Sequence, residues 1–450
     1  MTVKLKNIGI LKQAEFSLGD LTIICGENNT GKTYATYALY GFLESWHKLI
    51  SISISDDQVY NLLTRGTLKI ELTPYIEKAK QMLAEACKRY SEQLDEVFAA
   101  PEGTFQNSKF HLYTGANNNI RDKEINGRLG LPQSANFDYS KQQGSEDLTV
   151  TVAVEKEQEE IDRHFAKIIV EIIITNTIFS DSLPNPFISS AERTGVSIFQ
   201  RQLDADQNVD PRELLMESYQ NYPWPVRDNV KFTRQLEDIV KRKSFIAKEH
   251  SEILEDFADI IGGEYAITQN DQLYYIPKDT NLKLTMDQSS SAVRSLLNIG
   301  FYLRCVAREG NLLMVDEPEL SLHPENQRRI ARLFARLANL GVKVFITTHS
   351  DYIIKELNTL IMLNHDKPHL KQVAKENGYQ DSELINVDQV KVYIAEKALL
   401  PLEEGQRRRR RGHTLVPAKI HPELGIGVSS FDKTIDDMNR IQDDIVWGEE

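Results

Sequence analysis

Three stretches of this sequence predict an α/β fold built around a phosphate-binding P-loop, a mixed sheet flanked by helices, with an inserted helical domain. Gly26-Glu27-Asn28-Asn29-Thr30-Gly31-Lys32-Thr33 follows the apolar run Leu21–Cys25 and opens into Tyr34–Tyr40, which reads as a helix. Strand, glycine-bounded loop and helix, in that order, let backbone N–H groups turn inward around phosphate oxygens at a helix N-terminus. Downstream, Leu312–Val315 is an apolar run that ends in Asp316-Glu317, and Val342–Thr348 is another that ends in His349-Ser350. Each reads as a strand with polar groups at its carboxyl end, the edge at which an α/β core places its chemistry.

Along the chain, residues 1–25 alternate apolar and polar (Val3, Leu5, Ile8, Ile10, then Phe16 and Leu18), with Gly9 and Gly19 as punctuation. This predicts a hairpin or meander leading into the P-loop strand, and residues 1–45 as the first part of the nucleotide-binding domain. Residues 46–183 turn charged and largely helical, as in Glu77–Ala86, with a polar break near Asn117–Asn119 and a loop from Lys141 to Asp147. They read as a helical insertion, too short and broken for long heptad coils. Pro184–Gly195 predicts a return strand and turn within a core segment 184–211, and residues 212–260 a helical segment. Gly262-Gly263 opens two short strands, Tyr265–Thr268 and Leu273–Ile276, with Asn270-Asp271 at the turn. Helix and strand then alternate through residue 365, so 261–365 completes the core. Residues 366–450 read as a C-terminal extension.

Bulk composition bounds the possibilities. At 450 residues the chain has room for two or three domains, and its formal net charge of −13 argues against a protein that coats nucleic acid. Any DNA contact must therefore be local. Cys25, Cys87 and Cys305 fall in no metal-ligand spacing and suit a reducing cytoplasm. Lys4 and Lys6 interrupt the N-terminal apolar positions, so no signal peptide is expected. Ile168–Phe179 is short and broken by Glu171, a buried helix or strand with no membrane span expected.

Within the P-loop, Lys32 is placed to reach the β/γ-phosphates and the Thr33 hydroxyl to ligate Mg²⁺. Asp316 is the natural second ligand. Glu317, one residue on, points differently and can take the proton of an attacking water as general base. His349 can bond a γ-phosphate or its water. Ser289-Ser290-Ser291 precedes an apolar helix running through Leu303. Serines there are good caps, and the same geometry offers hydroxyls and free N–H groups to an anion.

Taken in order, GENNTGKT, QSSSAVRSL, LLMVDEPELSLHP and ITTHSDYI resemble the ATP-binding-cassette (ABC)-type ATPases of the RecF, SMC and overcoming-lysogenisation-defect (OLD) group. The likeness is greatest to the compact ATPases of bacterial anti-phage operons such as Septu, PARIS and retron systems. It covers roughly residues 1–45 and 260–365; FISSAERTG also resembles a block of these ATPases, without an evident role.

The resemblance implies ATP and Mg²⁺ as cofactors. It makes Gly26, Asn28, Asn29, Thr30, Gly31, Lys32 and Thr33 the nucleotide loop, with Thr33 and Asp316 on the metal. Glu317 becomes the catalytic base, His349 the switch histidine, and Ser290 and Ser291 the signature serines acting across a dimer. Ser321–His323 would be the loop that crosses the interface. A homodimer or higher even-numbered oligomer is implied. So is a cytoplasmic sensor or regulatory ATPase that gates a separate nuclease or toxin effector. A DNA-clamping repair ATPase and an ATP-regulated nuclease are the alternatives. Two departures matter: Ala292 stands where these ATPases usually have glycine, which implies slow hydrolysis, and no glutamate-plus-Asp-x-Asp arrangement follows His365, so an ATPase without the nuclease is expected.

The C-terminal stretch leaves two readings open. Arg407–Arg411 is a nucleic-acid or acidic-partner contact or a solvated loop. Phe431, Ile435, Met438, Ile441 and Ile445 share one helical face over 429–446, which docks on its own chain or on a partner.

Overall fold

The computed structural model describes residues 1–115, 120–130, 135–154, 161–197, 222–267, 272–400, 410–427 and 438–445. The chain divides into two compact units. The larger comprises Lys4–Gly41, Leu94–Lys109 and Pro186–Glu450, the smaller Met1–Val3, Phe42–Gln93 and Phe110–Asn185.

The N-terminal alternation forms β1 (Thr2–Ile8) and β2 (Leu11–Ser17), and the apolar run before the P-loop forms β3 (Leu21–Cys25), all five residues of which are buried. In the smaller unit, the segment expected to be a helical insertion does hold helices at Asp56–Arg65, Thr73–Ser91 and Arg163–Phe179. Among the described residues it also carries five strands, of which β4 (Thr67–Glu71), β6 (Ile125–Gly130), β7 (Ala135–Lys141) and β8 (Asp147–Val154) form an antiparallel sheet in the order β4-β8-β7-β6. The segment, expected to be largely helical, is thus mixed. β4 buries only Leu68 and Ile70 between exposed Thr67, Lys69 and Glu71, and so short a half-buried strand is easily lost beside a 19-residue helix. β5 (Lys109–Tyr113) sets the Phe110 ring 5.0 Å from that of Phe42 and 4.9 Å from that of Tyr90. Lys141 is fully buried, its ammonium donating to the carbonyls of Arg121, Lys123 and Gln142. The apolar Ile168–Phe179 lies in a helix, and among the described residues no helix is long and apolar enough to cross a membrane.

The larger unit is organised by one sheet. Its further strands are β9 (Pro186–Ser189), β12 (Leu312–Asp316), β13 (Lys343–Thr348), β14 (Val390–Leu399) and β15 (Arg411–Pro417), in the order β1-β2-β15-β14-β3-β13-β12-β9. The expected short hairpin forms apart from it, as β10 (Gly263–Ile267) and β11 (Leu273–Pro277), while Asn270 and Asp271 lie outside the described residues. Pairing from β9 through β12 and β13 to β3 is parallel, with Asp316 opposite Thr347 and Thr348 opposite Cys25. Strands covered on both faces need near-continuous apolar sequence, which Leu312–Val315 and Val344–Ile346 supply. Their common direction brings Ser189, Asp316, Thr348 and Cys25 to one edge.

Residues 366–450 are not simply appended. β14 pairs in parallel with β3, Ile394 opposite Cys25, and antiparallel with β15, so the C-terminal part completes the sheet beside the P-loop strand. Arg411 begins β15, and Arg407–Arg409 lie outside the described residues. Of the expected terminal helix, 438–445 is helical with Met438, Ile441 and Ile445 exposed, and Phe431 and Ile435 lie outside the described residues.

Helices Pro324–Asn339 and Asp351–Leu363 pack their apolar faces (Ile330, Phe334 and Leu337; Ile353, Leu357 and Leu360) into the core of this unit. Each such side chain contributes about 1.5–3 kcal/mol on burial.

Candidate active site

The P-loop turn is dictated by its neighbours. Gly26 has φ +141°, and a Cβ there would lie 2.6 Å from the Ala395 carbonyl oxygen of β14. Only glycine fits that approach. Asn29, at φ +60°, takes a left-handed conformation that asparagine tolerates, and the Thr30 hydroxyl closes the loop onto the Glu27 carbonyl at 2.7 Å. Asn28 and Asn29 are exposed at the tip. Gly31 leads into the helix α1 (Lys32–Leu49), whose N-terminal N–H groups face the loop.

Lys32 is buried, and its ammonium donates to the Gly26 carbonyl at 2.9 Å and the Glu27 carbonyl at 2.8 Å. Desolvation pushes its proton affinity down, against the opposing field of Glu317, Asp316 and Glu319. Thr33 stands exposed beside it, with its hydroxyl 3.3 Å from Oδ2 of Asp316.

Asp316 is wholly buried. Its Oδ1 accepts from the Thr347 hydroxyl on the adjacent strand, so its hydrogen-bond partners are two neutral hydroxyls. Desolvation is the main reason its carboxyl is pushed up to about 6, partly offset by the Thr347 bond. A buried carboxylate that forms no ion pair among the described residues, next to a hydroxyl, is a hard-oxygen donor set of the kind Mg²⁺ prefers. The residues present therefore fit a nucleotide phosphate with its cation.

Glu317 follows at φ +52°, a left-handed conformation that is unfavourable for glutamate and is held here by neighbouring bonds. Its N–H donates to both the carbonyl and the hydroxyl of Thr347, each at 3.1 Å. His349, half-exposed, sets Nδ1 3.7 Å from Glu317 Oε1 and 3.2 Å from Glu319 Oε1. Glu319 is buried and fixed by the Thr348 hydroxyl at 2.9 Å and the His349 N–H at 2.7 Å.

Ser290 and Ser291 lie elsewhere. Ser290 caps the Ser291–Phe301 helix, accepting from the Val293 N–H, and the Ser291 hydroxyl accepts from Arg294 at 3.1 Å. Both are exposed, and among the described residues neither bonds a P-loop residue of its own chain. Ser321 and His323 are exposed as well, while Leu322 between them is buried.

Residues 1–354 match the sequence profile of the AAA ATPase domain. The chain belongs to that family. Among solved structures, the SMC head domain from Thermotoga maritima is similar over 93% of this chain and 98% of its own, at 10% identity and TM-score 0.30. A Smc head domain with an extended coiled coil, bound to the C-terminal domain of ScpA and derived from Pyrococcus furiosus, covers 98% of each chain at 12% identity and TM-score 0.33. An SmcHead bound to the C-winged helix domain of ScpA covers 92% of this chain and 97% of its own, at 13% identity and TM-score 0.35. No curated protein matches the chain.

Two residues of this AAA ATPase domain escape a reading by motif. Glu319 accepts from the His349 N–H; it lies inside the LLMVDEPELSLHP block, which by itself assigns it no role. Arg193, within FISSAERTG, is buried and bonds the carbonyls of Asp316 and Glu317. Farther along the chain, Asn229 pins the end of β9 by accepting from the Ser190 N–H at 2.9 Å and donating to the Ile188 carbonyl.

The buried Asp316 carboxyl makes stability depend on pH. Its folded-state proton affinity is raised, so its contribution to stability is full below about pH 4 and is lost as pH rises through about 6. Asp316→Asn removes that charge while keeping atoms that both threonine hydroxyls can bond. At pH 7.5 the nucleotide-free variant is expected to gain on the order of 1–3 kcal/mol, a gain that disappears near pH 4, while Mg²⁺-dependent turnover falls. Thermal melts at the two pH values check this, and equal melting of both proteins at pH 7.5 contradicts it.

Proposed function

We propose that the chain binds ATP with Mg²⁺ and hydrolyses it while closing as a homodimer, each nucleotide held between the P-loop of one copy and Ser290–Ser291 of the other. One observation carries this reading. Lys32, Thr33, Asp316, Glu317 and His349 converge at one sheet edge, whereas Ser290 and Ser291 sit exposed at the N-terminus of an 11-residue helix.

The chain's own groups divide the work. Loop N–H groups and Lys32 hold phosphate oxygens, and the Lys32 ammonium exchanges its bonds to the Gly26 and Glu27 carbonyls for stronger charge-assisted ones. Thr33 and Asp316 hold the cation. Mg²⁺, when bound, neutralises phosphate charge and orients the triphosphate. Glu317 accepts a proton from water at its carboxylate, and His349, beside it, is placed to bond a terminal phosphate oxygen. Ser290 and Ser291 of the second copy complete the cradle with hydroxyls and helix N–H groups, so closure depends on the triphosphate.

In this reading the open–closed cycle gates a separate nuclease or toxin, in the manner of the anti-phage ATPases the motifs resemble. The motif order supports that role. Sizing the Glu317→Gln protein with and without Mg·ATP tests the dimer: nucleotide-dependent dimerisation supports the reading, and one unchanging mass in both conditions overturns it.

A further inference from the structure

Arg193 is the largest buried cation near the site, and all its described bonds go to backbone carbonyls. Its Nε donates to Ser295 at 2.7 Å, one terminal nitrogen to Ser190 at 2.9 Å and Asp316 at 2.6 Å, and the other to Glu317 at 2.7 Å. These carbonyls belong to three separate segments: the end of β9, the Ser291–Phe301 helix, and the corner where β12 passes into Glu317. No other side chain type joins them so well, because a guanidinium presents five N–H donors in one rigid plane and lysine's three donors radiate from a point. Burying such a charge is costly, and the surrounding field of Asp316, Glu319, Glu317 and Glu192 compensates. Burial lowers its proton affinity only to about 10, so it stays charged at neutral pH.

The connection matters because of what lies at its ends. The Ser291–Phe301 helix carries Ser290 and Ser291 at its N-terminus, and Ser295 lies one turn further along. The Glu317 carbonyl belongs to the residue whose backbone is held at φ +52°. We propose that Arg193 is the positioning residue that couples the serine-bearing helix to Glu317, so that an anion gripped at Ser290–Ser291 sets the position of the carboxylate that activates water. Its place in FISSAERTG gives that block a role: Ser190 anchors the guanidinium while Arg193 reaches across two segments. The inference rests on the reading of Glu317 as base and of the serines as the second half of the cradle.

The test uses the full chain. ATP turnover and affinity for a fluorescent non-hydrolysable ATP analogue are measured for wild type, Arg193→Lys, Ser291→Ala and the double variant. Ser291 is chosen because Ser290 also caps the helix. Expected is a fall in kcat of about tenfold or more for Arg193→Lys, with analogue affinity within about threefold of wild type. The double variant is expected to be no slower than the slower single one, because both break the same connection. Unchanged kcat, multiplied effects in the double variant, or analogue affinity lost in step with the melting temperature overturns the proposal.

Should Arg193→Lys fail to fold, hydrogen exchange in Glu317→Gln answers the question. Mg·ATP is expected to protect peptides spanning 187–195 and 312–320, and added Ser291→Ala to remove that protection; protection that survives Ser291→Ala overturns the proposal. Wild type that neither binds the analogue nor turns over ATP refutes the proposed function itself, separately from Arg193.

Discussion

Lys32→Ala is expected to lower ATP affinity by two orders of magnitude or more, measured by titration with a fluorescent nucleotide. The ammonium is the cation in contact with the loop carbonyls, and charge-assisted bonds to phosphate contribute about 1.5–3 kcal/mol each. Its removal leaves Asp316, Glu317 and Glu319 facing the phosphates with the field that now acts on Lys32 uncompensated. The fold is expected to survive, because alanine is a better helix former at the start of α1 and a buried ammonium is lost with it. Wild-type affinity in a folded Lys32→Ala protein would remove the P-loop from the site.

Glu317→Gln is expected to bind ATP with near wild-type affinity and to slow hydrolysis by a factor of about 10²–10⁴. The substitution keeps the shape of the side chain and the bonds of the Glu317 N–H and carbonyl, which hold the strained corner whatever the side chain carries. What it removes is the proposed proton acceptor. With binding intact and turnover blocked, the triphosphate-bound dimer is expected to accumulate, as seen by sizing in Mg·ATP. Unchanged turnover would exclude Glu317 as base.

The candidate site was legible in the sequence wherever it is written locally. Gly26–Thr33 lies between a strand and a helix, and Asp316 and His349 each follow an apolar run, so composition alone locates them. Arg193 and Glu319 were not legible as neighbours of the candidate site, because their contacts arise only in three dimensions. Arg193 reaches carbonyls more than a hundred residues away at Ser295, Asp316 and Glu317.

The fold divides along similar lines. β12 and β13 are continuous apolar strands and announce themselves. β14 alternates buried Val390 and Val392 with exposed Lys391, a pattern that marks a strand but not its place beside β3. The reason for Gly26 became clear only with that pairing, since the Ala395 carbonyl occupies the space a side chain would need. The small sheet of the 46–183 segment was hidden by strands whose exposed residues are charged, as in β4.

The claim that each nucleotide is shared between two copies is tested most directly by mixing two inactive variants, Lys32→Ala and the double Ser290→Ala/Ser291→Ala. In a mixed dimer, one interface combines both defects and the other combines an intact P-loop with intact serines. After subunit exchange in equal amounts, turnover is expected to recover to about a quarter of wild type, because half the dimers are mixed and each has one complete site. Turnover no greater than the sum of the two variants measured alone would show that the serines serve the P-loop of their own chain, or none, and would contradict it.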